Sequence, residues 1–242
     1  MRCVGSVVTV VLATAAGVFG GECAAADAAA ETKHFDRYLL SSGFDVWRNG
    51  GSLHGGVLWS PDGLYREGFT LKLLVAGGQY RYVSGGATVT GRYTLTSAMA
   101  GWRFKQDRLE VTLFAGPDVQ SHRLTPNDLG NRMRGSHAGI RLGADLWYQP
   151  SDTFMATGSV SLSTIGPNYW ARAAIGWHLF GRAWIGPEVM ALGGDRYQQY
   201  RAGVHATAFR AADFEWSMGL GYARDSDDRN GGYLRVGVLT RR

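Results

Sequence analysis

Residues 214–222 read Phe-Glu-Trp-Ser-Met-Gly-Leu-Gly-Tyr. Phe214, Trp216, Met218, Leu220 and Tyr222 are bulky and apolar or aromatic, and Glu215, Ser217, Gly219 and Gly221 between them are charged or small. A strict period of two is the mark of an extended strand whose two faces meet different surroundings. Outward from this stretch the pattern recurs. Phe69, Leu71, Leu73 and Val75 alternate with Thr70 and Lys72; Val111 and Leu113 with Glu110 and Thr112; Ile140, Leu142 and Leu146 with Arg141, Gly143, Asp145 and Trp147. Ala171, Ala173 and Ile175 face Arg172 and Gly176, and Leu234, Val236 and Val238 face Arg235 and Gly237.

Runs of this kind, separated by turn signals, are expected at 39–48, 52–60, 69–83, 87–104, 109–120, 136–148, 154–166, 168–180, 183–193, 197–209, 213–224 and 231–240. A soluble sandwich also alternates, so the character of the two faces has to decide. The polar face is rich in glycine with isolated charges, as in a narrow lumen, whereas a solvated surface carries many Lys and Glu. Aromatics gather near the strand ends (Trp47, Trp59, Tyr80, Tyr82, Trp102, Tyr148, Tyr169, Trp170, Trp184, Tyr200 and Tyr222), where an interfacial girdle lies. Connections alternate between short (105–108, 149–153, 181–182, 211–212) and longer (121–135, 194–196 with its polar continuation, 225–230), apart from an eight-residue stretch, Pro61–Gly68, on the short side. Short periplasmic turns and longer external loops are the asymmetry of an outer-membrane barrel. The expected fold is all-β, an antiparallel up-and-down outer-membrane-type β-barrel of about twelve strands over residues 39–242.

Composition agrees with one domain facing something apolar. Of 242 residues, 35 are Gly and 6 Pro, and 19% are charged, below the soluble average of about 25%. Lys+Arg 25 against Asp+Glu 20 gives a net charge of +5, but the cations are scattered singly and form no phosphate-tracking patch, which excludes a nucleic-acid partner. Met1-Arg2, the apolar run Val4–Phe19 and Ala24-Ala25-Ala26 read as a signal peptide over 1–26, followed by a periplasmic tether over 27–38. Cys3 and Cys23 both fall in the removed segment, so disulfides, thiolate metal sites and a Cys nucleophile are excluded. Glu22 before Cys23 disfavours lipidation.

The chemistry-bearing residues expected on the inward face are Asp45, Lys72, Arg92, Glu110, Arg141, Asp145, Arg172, Glu188, Arg201, Glu215 and Arg235, six bases and five acids. Charges against a low-dielectric wall must be paired or hydrated. Twelve strands lie between the filled eight-stranded barrel and the sixteen-stranded channel. Both a narrow polar pore and an interior closed by ion pairs remain open, the size favouring the latter. Gly43-Phe44-Asp45-Val46-Trp47 and Gly143-Ala144-Asp145-Leu146-Trp147 share a Gly-x-Asp-x-Trp spacing. Trp47 and Trp147 could stack on a sugar ring beside an acceptor carboxylate, although an interfacial Trp with an Arg-paired Asp is the plainer reading. His205, Ser217 and Glu188 share the inward parity on successive strands and could form a hydrolase-like triad, or simply line the lumen. His54, His122, His137 and His178 lack metal-ligand spacing; no metal site, phosphate loop, dinucleotide fingerprint or other cofactor site is expected.

Several segments carry a resemblance: 42–51 (Ser-Gly-Phe-Asp-Val-Trp-Arg-Asn-Gly-Gly), 54–61 (His-Gly-Gly-Val-Leu-Trp-Ser-Pro), 66–72, 122–126, 163–167, 186–189 and 223–229. Together they are similar to the BcsS-type cellulose-biosynthesis proteins of alphaproteobacteria. The resemblance implies an accessory role in making, exporting or anchoring extracellular cellulose. It implies outer-membrane lipid, cellulose or cello-oligosaccharides and other cellulose-synthesis proteins as partners, and brings no catalytic residues. A scaffold docking periplasmic partners and a lumenal hydrolase or acyltransferase stand as the alternatives. Asn230–Val236 resembles the C-terminal targeting strand of outer-membrane barrels, but the sequence closes on Thr240-Arg241-Arg242 and not on an aromatic residue.

Overall fold

The computed structural model describes residues 36–194 and 197–242. The expected signal peptide, and the tether up to residue 35, lie outside the described residues. The elements are β1 (Tyr38–Trp47), β2 (Gly50–Trp59), β3 (Gly68–Ser84), β4 (Ala87–Gln106), β5 (Leu109–Thr125), β6 (Gly135–Tyr148), β7 (Phe154–Ser163), β8 (Asn168–Leu179), β9 (Ala183–Gly193), β10 (Gln198–Ala211), β11 (Phe214–Asp225) and β12 (Asn230–Arg241). Each pairs antiparallel with its neighbours in the chain, and β1 pairs with β12 from Leu39↔Arg241 to Trp47↔Tyr233, closing a barrel with no free edge. The end where β1 begins and β12 finishes is the lower end; the opposite one is the upper end.

Two strand limits differ from expectation. β5 continues to Thr125 because it stays paired with β4 as far as Thr90↔Thr125, so the 121–135 connection shrinks to 126–134. β7 stops at Ser163, where Gly166 turns with φ +54° and Pro167 has no N–H to give a ladder. The upper end is thus distinguished by strand length more than by loops: β3, β4 and β5 have 17, 20 and 17 residues against 10 in β1, β2 and β7.

Outward positions form an exposed apolar belt, with Leu53, Val75, Ile140, Val189 and Leu220 each more than half exposed. Such a surface on a closed barrel is one that lipid covers. Trp102, Tyr148, Tyr200 and Tyr222 face outward as interfacial aromatics. Trp47, Trp170 and Trp184 do not: each is buried inside the barrel, and Tyr80 and Tyr82 share the inward parity of Lys72. Position near a strand end made them look interfacial, but strand parity decides which way a side chain points.

The eight-residue stretch that broke the short-turn rule has a structural task. The 60–67 connection folds back under the lower mouth, with Leu64 N–H donating to Asp36 O (2.8 Å) and Ser60 N–H to Arg37 O (2.9 Å). Leu64 is buried against the inward residues Leu39, Leu58, Met99, Phe114 and Leu239, and an Arg103 guanidinium N–H donates to the Leu64 carbonyl. A second apolar cluster at the same end joins Trp147, Met155, Trp184 and Ala208.

Candidate functional site

The inner wall carries its charges in pairs that bridge strands. Asp45 on β1 accepts both bonds from Arg201 Nη1 on β10 (2.8 and 2.7 Å). Lys72 on β3 reaches Asp145 on β6 at 2.9 Å, its ammonium also lying 4.5 Å from the centre of the Phe114 ring. Glu110 pairs with Arg103 at 3.0 Å, and Glu215 with Arg241 at 2.8 Å and Arg210 at 3.7 Å. Glu188 on β9 is the hub of a further group. Its Oε2 accepts from Arg172 (2.8 Å) and Arg235 (2.9 Å), and its Oε1 from the Tyr233 hydroxyl (2.9 Å). The Glu188 carboxylate fits because Gly219 stands opposite: a Cβ there would lie 2.1 Å from Oε1.

Arg141 shows how a buried pair becomes tolerable. Its Nη2 donates to Asp118 Oδ2 at 2.8 Å, while Asp118 also accepts from Ser97 (2.7 Å), Gln120 (2.8 Å) and Ser163 (2.6 Å). Both residues are almost completely buried. Full hydrogen bonding is what offsets the desolvation of such an ion pair.

Ten of the eleven charged residues expected inside therefore point inward, each in an ion pair. Arg92 is the correction. It is exposed on the outer wall, because inward residues of β4 are the odd ones, Tyr93, Leu95, Ser97 and Met99. The same parity would have found Arg103, and the even parity of Glu110 on β5 would have found Asp118; both were missed.

Trp47 and Trp147 lie at opposite ends, since β1 runs upward and β6 downward. Trp47 packs with Trp170, Met190, Leu192 and Tyr233 at 4% exposure; Trp147, at 5%, packs with Met155 and Trp184 and also lines an interior cavity together with Asp145. His205, Ser217 and Glu188 form no triad. His205 Nδ1 bonds the Thr207 hydroxyl (2.8 Å) and Nε2 donates to the Ile175 carbonyl (3.0 Å), while Ser217 accepts from Arg235 (3.3 Å). Among the described residues no group of His, Cys, Asp or Glu is placed to hold a metal ion.

The interior retains a small cavity of about 50 Å³ near the Lys72–Asp145 and Arg103–Glu110 pairs. That is room for several water molecules. At the upper end the projecting part of β3–β5 carries a different group. Tyr80 and Tyr82, half-buried, stack with ring centres 5.9 Å apart, and Tyr93 stacks on His122 at 5.8 Å. The Tyr82 hydroxyl donates to Asp128 (2.8 Å) and accepts from Asn131 Nδ2 (2.8 Å), tying the 126–134 connection to the aromatic ladder.

The family model described as cellulose biosynthesis protein BcsS matches residues 39–242, the whole barrel save the first residue of β1. The chain belongs to the BcsS family. Among solved structures, the BcsS barrel is similar to an outer-membrane channel of the COG4313 group from Pseudomonas putida F1, with TM-score 0.52 and 10% identity over 88% of this chain and 100% of that one. It is also similar to a TodX monoaromatic hydrocarbon channel carrying the deltaS2 mutation, with TM-score 0.53 and 8% identity over 85% and 90%. At such identities the likeness is one of fold. Against curated proteins the sequence has no significant match. The BcsS barrel is an outer-membrane β-barrel of cellulose biosynthesis.

Proposed function

We propose that this barrel is a plugged anchor that retains newly exported cellulose at the cell surface, and not the conduit through which the glucan passes. The observation that carries this reading is the interior: ion pairs such as Arg141–Asp118, Arg201–Asp45 and Arg235–Glu188 reach across strands, and apolar clusters lie at both ends. An extended glucan needs a continuous passage.

The placement follows from the asymmetry of the strands. With the short turns in the periplasm, the β3–β5 projection stands outside. There the Tyr80–Tyr82 stack, Asp128 and Asn131 supply what a glucan presents need for: aromatic faces for the C–H side of the ring and acceptors or donors for its hydroxyls. The role is one of binding and not catalysis, in line with His205 and Ser217 being bonded to other partners.

The test is a deletion strain complemented with the wild-type chain or with Tyr80→Ala/Tyr82→Ala, in which cellulose is measured separately in the periplasm, on the cell surface and in the medium. Retention predicts unchanged total polymer, with the surface fraction moving to the medium in the deletion and in the double variant. Polymer trapped in the periplasm of the deletion strain would overturn the reading in favour of export, and unchanged fractions would overturn it altogether.

A further inference from the structure

The outer wall holds a site that the retention reading does not use. Across β1–β3, toward the upper end, the apolar belt is interrupted by a groove of about 460 Å³ whose walls include Phe44, Val46 and Leu53 and whose floor is bare backbone at Gly51 and Gly77. These residues are neighbours by register: Phe44 faces Leu53, Val46 faces Gly51, and Leu53 faces Gly77. Arg92 closes the groove on its β4 side.

Arg92 does not stand alone. It is directly opposite Arg123 of β5, both exposed and both outward, and Arg81 shares that outward face on β3. Like charges directly opposite in a sheet repel. No carboxylate among the described residues pairs with any of the three; Arg92 has one long bond, from Nε to Gln79 Oε1 at 3.4 Å. Inside the same barrel, Arg103, Arg141, Arg172, Arg201 and Arg235 each have a carboxylate within 3.0 Å.

Three unpaired guanidinium groups above an apolar slot in a lipid-facing wall match an amphiphile with a phosphate head and acyl chains. Guanidinium binds phosphate bidentately, and a shared anion would turn the Arg92–Arg123 repulsion into a bridge. We infer that Arg81, Arg92 and Arg123, with the Gly51–Gly77 groove below them, seat a phosphorylated, acylated lipid of the outer leaflet. The head lies on the arginines and a chain lies in the groove. The glycines leave the chain its space: a Cβ at Gly77 would meet only ordinary contacts, Tyr93 O at 3.4 Å and Thr94 Cγ2 at 3.9 Å, so a larger residue there fills the groove without breaking the strand.

The experiment uses the refolded barrel in a neutral detergent, with folding verified by heat-dependent gel mobility. Retained lipid is counted by native mass spectrometry. The probes are diphosphoryl lipid A, the same lipid freed of its phosphates, and inorganic phosphate in excess. The wild-type barrel is expected to retain lipid A, and Arg92→Gln/Arg123→Gln to retain it about tenfold less, the scale of one lost charge-assisted contact. Gly77→Leu, with its arginines intact, is also expected to lose the lipid, and inorganic phosphate not to displace it. Equal retention of the dephosphorylated lipid, or by the arginine variant, would overturn the headgroup assignment. Displacement by inorganic phosphate, or full retention by Gly77→Leu, would reduce the site to a bare anion contact and overturn the lipid seat.

Discussion

Arg103 and Arg92 lie on the same strand and live in opposite worlds. Arg103 is fully buried, paired with Glu110 at 3.0 Å and donating to the Leu64 carbonyl of the 60–67 connection. Arg92 is exposed on the outer wall, opposite another arginine and without an acid. They are an odd number of positions apart along β4, so the pleat sends them to different faces. Inside, the low dielectric makes an unpaired charge costly and every inward arginine acquires a carboxylate; outside, near the interface, water and lipid headgroups can do that work. Residue type alone therefore says little about an arginine in this fold.

The sharpest way to break the comparison is at the hub of the inner network. Glu188→Gln keeps the shape but leaves Arg172 and Arg235 without their shared carboxylate, and breaking a buried pair from one side costs about 3–5 kcal/mol. The expected readout is a clearly lowered urea midpoint for the refolded barrel. An unchanged midpoint would mean that lumenal water solvates these arginines, and that the interior is wetter than its packing implies. Next in size is Leu64→Ala. Removing a buried Leu costs about 2–5 kcal/mol, and Leu64 packs against the inward residues at the lower end. Stability should fall, and ion conductance in a planar bilayer should rise above that of the wild type. A silent, equally stable variant would show that the 60–67 connection is no stopper.

Much of this was legible in sequence because the membrane imposes a simple pattern. Alternation over Phe214–Tyr222 gives β11 its limits within a residue, and the even strand count follows from the same pattern. The inward charges were legible wherever parity was followed, as at Asp45, Asp145 and Glu188. Arg92 was lost because Gly91 and Tyr93 around it carry no clear apolar signal, while Tyr80 and Tyr82 were misplaced by their nearness to a strand end. What sequence could not supply is which strand a charge reaches across the lumen. Asp45 meets Arg201, 156 residues away, because of barrel closure and stagger. No local pattern encodes that contact.

The smallest expected effect is also the most discriminating. Arg123→Gln on the outer wall removes one of two facing cations and leaves no acid behind. In a neutral detergent the refolded barrel should change by no more than about 0.5 kcal/mol, and toward greater stability, since a like-charge contact is relieved. Because that repulsion acts through solvent, the gain should shrink as salt rises toward 1 M, where the screening length is about 3 Å. The matching change on the inner wall, Arg103→Gln, strands Glu110 in the interior and should destabilise the barrel at every salt concentration. Were Arg123→Gln to destabilise the barrel in neutral detergent, Arg123 would have a structural partner and the two walls would not differ in kind. Were it neutral there but destabilising in membranes that contain phosphorylated lipid, the missing counter-charge would be the lipid itself.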